Sequence, residues 1–370
     1  MATRNRRRWP WLLVAVALFG VAAWLMSRDD PEREEPAWRR VEMPRHMRQE
    51  DRQRMVARRV KPPPAPPVAE GDPAPAPRAQ DPVLAALPSE VKKGVVVVEA
   101  NAIRHSPVGE LLLDCLASRD GGRGLAKMRE DLGFDPLEAV DRIAIADDAL
   151  VVSGHFGDGK WKDLLGTEGR VFGKLGTIFD APRSGGANED GPPTKLAVWR
   201  DEIVVVADSD AQAELVLDRL EGRGLHGAPV LDESMTYGEI YGVLTGETLA
   251  GMFESTQPQL AQRMREVAER IELHVDTRRD VGVVADVRGA SATDVKDLGK
   301  TVGAALSLGR LKAQADGNTE LAELMDLARV VPGDGDFRME MGLPLEFLEK
   351  HLKECVARNE ARRAAADKEP

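Results

Sequence analysis

From residue 91 onward, short apolar runs alternate with segments of helical periodicity. The run GVVVVEAN (94–101) is rich in β-branched residues and predicts a strand. Ser106-Pro107 predicts the start of a helix through Leu116, because serine caps a helix and proline fits its first turn. The other elements predicted in this half are a helix over 124–133, a hairpin over 141–156, a short helix over 160–165, a hairpin over 196–208 and a helix through Leu220.

Residues 236–370 repeat this order of elements. They predict a strand over 236–246, helices over 247–253 and 259–270, a hairpin over 271–287 and a long helix from Ser291. The C-terminal parts of the two repeats match best, since LAVWRDEIVVVAD (196–208) aligns with the segment that begins at Leu327. We therefore predict an α+β fold of two tandem repeats, residues 91–226 and 227–370, each with antiparallel strands covered by helices.

A second pattern lies at the N-terminus, where residues 9–27 (WPWLLVAVALFGVAAWLMS) contain no charge. This run is long enough to cross the hydrocarbon core as a helix, and tryptophans lie near both of its ends. It predicts a transmembrane signal anchor in an inner membrane. The alternative is a cleavable signal peptide cut near Val21-Ala22-Ala23, which would leave a secreted protein.

Arginines flank the apolar run on both sides, so the predicted orientation of the helix depends on the short N-terminal tail. Residues 1–8 carry four arginines and no acid, and moving such a tail across a membrane is costly. We expect residues 1–8 to form a basic cytoplasmic tail and the rest of the chain to be exported to the periplasm.

Residues 28–90 predict a linker. Its first part is dense in Arg and Glu, and residues 39–61 hold nine Lys or Arg against three acids. This predicts a solvated, disordered or partly helical stalk, or alternatively a patch that attracts anionic lipid headgroups. Residues 62–88 then hold ten prolines, which favour an extended spacer of roughly 80 Å between the membrane and the folded repeats.

Charge narrows the choice of partners. The net charge is −11, but residues 1–90 carry 16 Lys or Arg against 12 acids, and residues 91–370 carry 35 against 50. The folded region therefore has a net charge of −15 and repels a phosphate backbone, so nucleic acid is not an expected partner. The two cysteines, Cys115 and Cys355, lie far apart in sequence, and either a disulfide or two buried thiols fits that spacing.

One segment imitates a phosphate-binding loop. Gly154-His-Phe-Gly-Asp-Gly159-Lys160 fits GxxxxGK after a predicted strand, and a hydrophobic run ends at Asp208. Trp161, however, occupies the position whose hydroxyl would ligate magnesium, and the surrounding strands predict antiparallel hairpins. We interpret the segment as a glycine turn between a strand and a helix.

No other motif nominates a site. None of the histidines has a partner at metal-binding spacing, and we expect His155 and His274 to be half-exposed strand residues. Ser89 and Lys92 fit SxxK without the motifs that accompany it in β-lactamases. The remaining acidic candidates fit turns and helix caps, namely Asp147-Asp148, Glu189-Asp190, Asp208–Asp210, Asp334 and Asp336. The sequence thus predicts no catalytic residue, cofactor or metal.

The order of a signal anchor, a proline-rich spacer and a duplicated α+β unit resembles that of exported, membrane-anchored bacterial domains of unknown function. The resemblance covers residues 1–370 in architecture only and implies no activity. We expect a non-enzymatic binding module of the cell envelope, attached to the membrane through residues 9–27, with an envelope protein as its partner. The alternatives are a periplasmic carrier of a small molecule or lipid, and a hydrolase without a recognisable motif.

Overall fold

The computed structural model describes residues 41–60, 80–119, 122–147, 149–156, 165, 168–180, 194–223, 227–255 and 257–366. Within these ranges the chain has a mixed α+β fold, in which one large antiparallel sheet is covered by helices. The strands are β1 Gly94–Val98, β2 Val140–Ile145, β3 Ala149–Gly154, β4 Arg170–Phe172, β5 Gly176–Asp180, β6 Lys195–Trp199, β7 Ile203–Ala207, β8 Ile240–Leu244, β9 Arg270–Asp276, β10 Val281–Arg288, β11 Ala328–Pro332 and β12 Asp336–Leu343.

Helices precede, separate and follow these strands. They are α1 Gln49–Ala57, α2 Pro82–Ala86, α3 Ala100–Arg104, α4 Pro107–Ser118, α5 Arg123–Leu132, α6 Pro136–Ala139, α7 Asp210–Leu220, α8 Gly246–Phe253, α9 Pro258–Val267, α10 Ala292–Ala315, α11 Thr319–Asp326 and α12 Leu345–Ala366. Several begin as the sequence predicts: Ser106, Ser209 and Ser291 each accept a backbone hydrogen bond at the N-cap.

The sheet is continuous across the predicted boundary at residues 226 and 227. Its strand order is β11-β12-β10-β9-β8-β1-β2-β3-β7-β6-β5-β4, with β1 and β8 paired antiparallel at the centre. Outward from this pair, β1-β2-β3-β7-β6 and β8-β9-β10-β12-β11 follow the same order. We call the β1 side the first half and the β8 side the second half. The hairpin β4–β5, which the sequence analysis did not predict, lies outermost in the first half.

Side chains alternate between two faces of the sheet, which we call face A and face B. Val96 and Ile240 point to face A, whose core includes residues of α4 and α8–α12. Val95 and Tyr241 point to face B. In the first half, face B is apolar and is covered by α2 and α7, whose Val83 and Leu217 are fully buried. The central strands thus bury both faces, which explains their unbroken runs of valine.

The tight turns agree with the sequence. Arg200 and Asp201 lie in the turn between β6 and β7 with φ of 54° and 57°, and the Glu202 N–H closes the turn on the Trp199 carbonyl at 3.2 Å. The predicted hairpins over 141–156 and 271–287 are β2–β3 and β9–β10. Asp334 and Asp336 flank Gly335, which has a φ of 90° and lies in the turn between β11 and β12. The short helix predicted over 160–165 lies almost wholly outside the described residues.

The linker prediction was wrong for residues 41–60 and 80–90. Residues 41–60, which we call the arginine strap, cross face B from β12 to β1 and contain helix α1. Residues 82–87 are almost fully buried against face B. The physical reason is that arginines and small apolar residues, which are typical of linkers, here have carboxylates and an apolar sheet face to pack on.

The predicted proline-rich spacer lies mostly outside the described residues, and the residues on either side of that gap are paired with each other. Val60 and Gln80 pair as an antiparallel bridge, with N···O distances of 2.9 and 3.1 Å in the two directions. The segments that contain Val60 and Gln80 both pack on the body, so the chain already reaches the body before residue 61. Only residues 28–40 lie between the predicted anchor and the strap.

Cys115 of α4 and Cys355 of α12 form a disulfide, with a Cα–Cα distance of 5.7 Å. The sequence was compatible with a disulfide or with two buried thiols, and the structure shows the disulfide. In the same contact the Asn359 amide donates to Ser118 Oγ at 2.9 Å. Within the ranges that the structure describes, no helix has the length and apolarity to cross a bilayer, and the predicted anchor at residues 9–27 lies outside those ranges.

Candidate binding surface

In the second half, face B carries charged side chains instead of an apolar surface. The strands β9 and β12 alternate strictly, so Ile271, Leu273 and Val275 point to face A while their neighbours point to face B. Among the described residues no α-helix covers this part of face B, although the arginine strap crosses one end of it and residues 230–237 contact Arg270 and His274. We call its charged surface the guanidinium face; it consists of Arg45, Arg270, Arg288, Arg329 and Arg338 over Glu272, Asp286 and Glu340.

The charges of this face form two layers. The side chains of Glu340, Asp286 and Glu272 are 2%, 10% and 15% exposed, so the carboxylates lie close to the sheet. Arg45, Arg288 and Arg329 are each 52% or 53% exposed and lie above them. Solvent therefore meets guanidinium groups, although every one of them has a carboxylate partner.

The pairs are well formed. Arg338 binds Asp286 through two hydrogen bonds, of 2.7 and 3.0 Å. Glu340 accepts from Arg329 at 2.7 Å and from Arg45 at 3.3 Å. Glu272 accepts from both Arg270 and Arg288 at 3.0 Å. The two-point contact fixes the guanidinium plane of Arg338, whereas Arg45 and Arg288 each make one hydrogen bond and so keep N–H groups available to an additional acceptor.

An aromatic pair lies on the same face of the sheet, next to the guanidinium face. Tyr237 stacks on His274 with ring centroids 3.7 Å apart, and His274 is 1% exposed. Burial lowers the pKa of His274, so its imidazole is neutral at pH 7. Burial also raises the pKa of Tyr237 to about 12. The expectation of a half-exposed His274 was wrong, because Tyr237 covers the ring.

The arginine strap binds a row of body carboxylates along face B. Arg58 donates two hydrogen bonds to Glu99, of 2.8 and 2.6 Å, and the Tyr241 hydroxyl donates to the same carboxylate at 2.9 Å. Arg48 lies 2.6 Å from Asp276. Glu99 and Asp276 are both buried. Most strap arginines are therefore paired with carboxylates of the protein itself, and the patch predicted for residues 39–61, part of which lies outside the described residues, stays a prediction.

Two carboxyls under the strap have raised pKa values. Burial raises the pKa of Glu239 to about 7, although the Thr277 N–H donates to it at 2.7 Å. Its nearest cations, Arg54 and Arg278, are both 3.9 Å away. Burial likewise raises the pKa of Asp276 to about 6. Both groups therefore titrate within the physiological range.

A small cavity of about 230 Å³ opens between the strap and the body, and Glu239, Arg278, His105 and Ser106 contribute to its lining. Ser106 Oγ donates to the Ile103 carbonyl at 2.8 Å and accepts from the Gly109 N–H at 3.0 Å, so it caps α4. His105 Nδ1 lies 2.8 Å from the Asn101 carbonyl. Neither side chain contacts a partner that would activate it as a nucleophile or base.

A larger, open groove of about 640 Å³ runs between α4 and α12 beside the disulfide. Leu111 and Val356 line it together with charged side chains such as Asp114, Lys353 and Arg363. This lining is mixed, whereas a carrier of apolar ligands needs a closed apolar cavity.

The other sequence candidates lie apart from these features. Gly154 ends β3, and a Cβ there would come within 2.0 Å of the Ala139 carbonyl, so close packing explains this glycine. β3 pairs antiparallel with β2 and β7, unlike the parallel sheet of nucleotide-binding folds, and residues 157–164 lie outside the described ranges. His155 follows β3 and its side chain is 86% exposed, more than the half exposure expected.

The acidic candidates have structural roles where they are described. Asp147 accepts hydrogen bonds from the backbone N–H groups of Lys92 and Lys93, next to an exposed Ser89. Asp210 pairs with Lys195 and Arg170. Glu189 and Asp190 lie outside the described residues, and within the described ones no three His, Cys, Asp or Glu side chains form a group that could hold a metal ion.

Sequence reasoning missed both the strap and the guanidinium face. A signal for the face was present, since the alternation of apolar and charged residues in RIELHVD (270–276) and DFRMEMGL (336–343) predicts one polar face. No comparable signal existed for the strap, because pairing with distant carboxylates leaves no local pattern.

Comparisons with known proteins assign no family. No family model and no curated protein matches this chain. A solved structure described as crystal form I of TP0453 is similar over 74% of this chain and 96% of its own, with 10% identity and a TM-score of 0.39. A similarity of this extent carries no argument about fold or function.

Proposed function

We propose that this chain is an exported, membrane-anchored protein whose folded body is a non-enzymatic binding module, and that it binds through the guanidinium face. The observation that carries the proposal is the layering of that face. Half-exposed arginines lie above nearly buried carboxylates, on a part of the sheet that no described helix covers. Arginine planes held in this way suit recognition of carboxylate or phosphate groups.

The disulfide supports export. Cys115 and Cys355 are paired, and thiols in the cytosol are kept reduced, whereas the periplasm favours disulfides. The uncharged run at residues 9–27 supports attachment to the inner membrane, with the folded body on the periplasmic side. Cleavage of that run would instead give a secreted protein with the same fold.

The order of strands supports a duplicated α+β unit. Residues 91–226 and 227–370 would be the two copies, joined edge to edge through β1 and β8. In this interpretation the first copy kept an apolar face B under α7, and the second copy exchanged it for charged residues. The exchange has no role in burying a core, which supports a role in binding.

The proposal is tested with a photo-reactive amino acid in the full-length chain in cells. Val331 lies on face B next to Arg338 in the strand register and is 39% exposed, so a probe there samples the guanidinium face. Val171, 74% exposed in the outermost hairpin of the first half, is the matched control position. We expect crosslinked products from position 331 and few from 171. Equal yields, or none from 331, would contradict the proposal.

Export is tested separately by labelling free thiols in the intact membrane fraction. We expect Cys115 and Cys355 to be protected until a reductant is added. Free thiols in the membrane fraction would place the body in a reducing compartment, and the disulfide would then no longer support export.

A further inference from the structure

The point at which the chain reaches the folded body lies on the guanidinium side of the sheet. Val41 and Met43 pack where Gly342 of β12 and Gly282 of β10 leave room on face B. Side chains at these two glycines would clash with the strap, because a Cβ at Gly342 would lie 2.8 Å from Val41 and one at Gly282 would lie 2.7 Å from the Glu42 carbonyl. The same face of β10 and β12 carries Arg288 and Arg338 further along the strands.

The chain outside the described residues is short on this side. Residues 28–40 separate the apolar run from Val41, and these thirteen residues span at most about 45 Å when fully extended. The proline-rich segment adds nothing to this reach, because both of its ends are on the body. An anchor in residues 9–27 therefore keeps the point at which the strap meets the body within about 45 Å of the bilayer.

The charge of the face differs from that of the body as a whole. Residues 91–370 carry a net charge of −15, which a membrane with anionic lipids repels. The guanidinium face has five arginines over three carboxylates, and its most exposed groups are cationic, with the acids Glu42 and Asp336 near it. The face therefore presents cations outward on the side of the sheet that the tether reaches.

We infer that the guanidinium face docks on the anionic headgroups of the membrane that holds the anchor. This inference rests on the proposed function and names its partner class. Lipid phosphates would accept hydrogen bonds from the outer N–H groups of Arg45, Arg288 and Arg329, while the carboxylates beneath hold these side chains on this face. The body then lies with face B of its second half against the bilayer.

The test uses the full-length chain in nanodiscs of phosphatidylcholine, with and without phosphatidylglycerol. A spin label is placed at Val331→Cys or, as the control, at Val171→Cys; the native cysteines are paired and do not react. Relaxation by a nickel-chelating lipid reports the approach of each label to the headgroups. We expect strong relaxation at position 331 only when phosphatidylglycerol is present, and weak relaxation at position 171 in both lipids.

Arginine variants identify the groups responsible. Arg288→Gln with Arg329→Gln should reduce the docked population about fivefold for each charge removed. Arg288→Lys with Arg329→Lys should retain docking, because the charge remains. Arg170→Gln is the control, since Arg170 is also 52% exposed, also lies on face B and is also paired with carboxylates, but in the first half.

The outcomes separate this inference from the proposed function. If the chain enters nanodiscs and position 331 relaxes equally with and without phosphatidylglycerol, the lipid inference is overturned while a protein partner for the same face stays possible. If the chain does not stay with the nanodiscs at raised salt, the anchor itself is absent and the proposed function fails.

Discussion

The two halves of the sheet share a strand order but differ on face B. In the first half Val205, Ala197 and Trp199 are buried there under helix α7. On the corresponding strands of the second half, β11 and β12, face B carries Arg329, Arg338 and Glu340. Helix α12, which follows β12, lies on face A instead. An apolar face must be covered, whereas a face of paired charges is stable in water. The same strand order therefore carries a buried apolar face B in the first half and an exposed, charged face B in the second.

The disulfide gives the largest expected effect, because it holds α12 against α4 on face A. It closes a sequence separation of 240 residues, and replacing Cys115 and Cys355 with serine should lower the free energy of unfolding by about 4 kcal/mol. Urea unfolding under non-reducing conditions measures this. Asn359→Ala, which removes the hydrogen bond to Ser118 and two longer contacts to Cys115 and Cys355 but keeps the disulfide, should cost about 1 kcal/mol. A similar loss in both variants would show that the covalent link does not hold the helix.

The covered face of the first half should be sensitive to cavities. Leu217 of α7 is fully buried on face B, so Leu217→Ala should destabilise the protein by about 3 kcal/mol. Leu215, on the same helix and 37% exposed, is the control, and Leu215→Ala should change stability by less than about 0.5 kcal/mol. Chemical denaturation distinguishes the two. Similar small losses would mean that α7 does not cover a core.

The strap should make stability depend on pH between about 4.5 and 7. Burial raises the folded-state pKa of Glu239 from 4.5 to about 7, so the folded state holds this proton more tightly than the unfolded state. Stability from this group is therefore full below pH 4.5 and is lost as the pH rises through 7, by up to about 3 kcal/mol.

Glu239→Gln should reduce the dependence of the free energy of unfolding on pH. A smaller slope should stay in the variant, because burial also raises the pKa of Asp276 to about 6. Urea midpoints at a series of pH values measure it. Glu233, which pairs with Arg59 at 36% exposure, provides the control, and Glu233→Gln should keep the wild-type slope. An unchanged slope in Glu239→Gln would be evidence against a buried carboxyl under the strap.

The guanidinium face should contribute least to stability. Arg288 is 53% exposed, and an exposed ion pair contributes little, so Arg288→Gln should change the free energy of unfolding by less than about 0.5 kcal/mol. Thermal or urea unfolding checks this. A loss comparable to that of Leu217→Ala would mean that the charged face supports the fold and would remove the contrast between the halves.

The sequence predicted local elements well, because their signals are local. Serine caps, the Arg200-Asp201 turn and the valine-rich strands each depend on neighbouring residues. It did not predict β4–β5, since residues 170–180 contain few β-branched residues between glycines. It also assigned Arg48 and Arg58 to a solvated stalk, because their partners Asp276 and Glu99 are far away in sequence.

The candidate surface could be predicted only in part. The alternation in residues 270–276 indicates a polar sheet face, but not which strands lie beside it. Glu272 comes from β9, Asp286 from β10 and Glu340 from β12, and only strand pairing places them together.

By itself the sequence determined the apolar run at residues 9–27, the acidic charge of residues 91–370 and the α+β class with its hairpins. These follow from composition and short-range periodicity. The tertiary structure decided that the two halves share one sheet, that Cys115 and Cys355 pair, that the proline-rich segment is bridged at both ends to the body and that arginines cover one face of the second half. Each of these depends on contacts between residues distant in the chain, which local patterns do not encode.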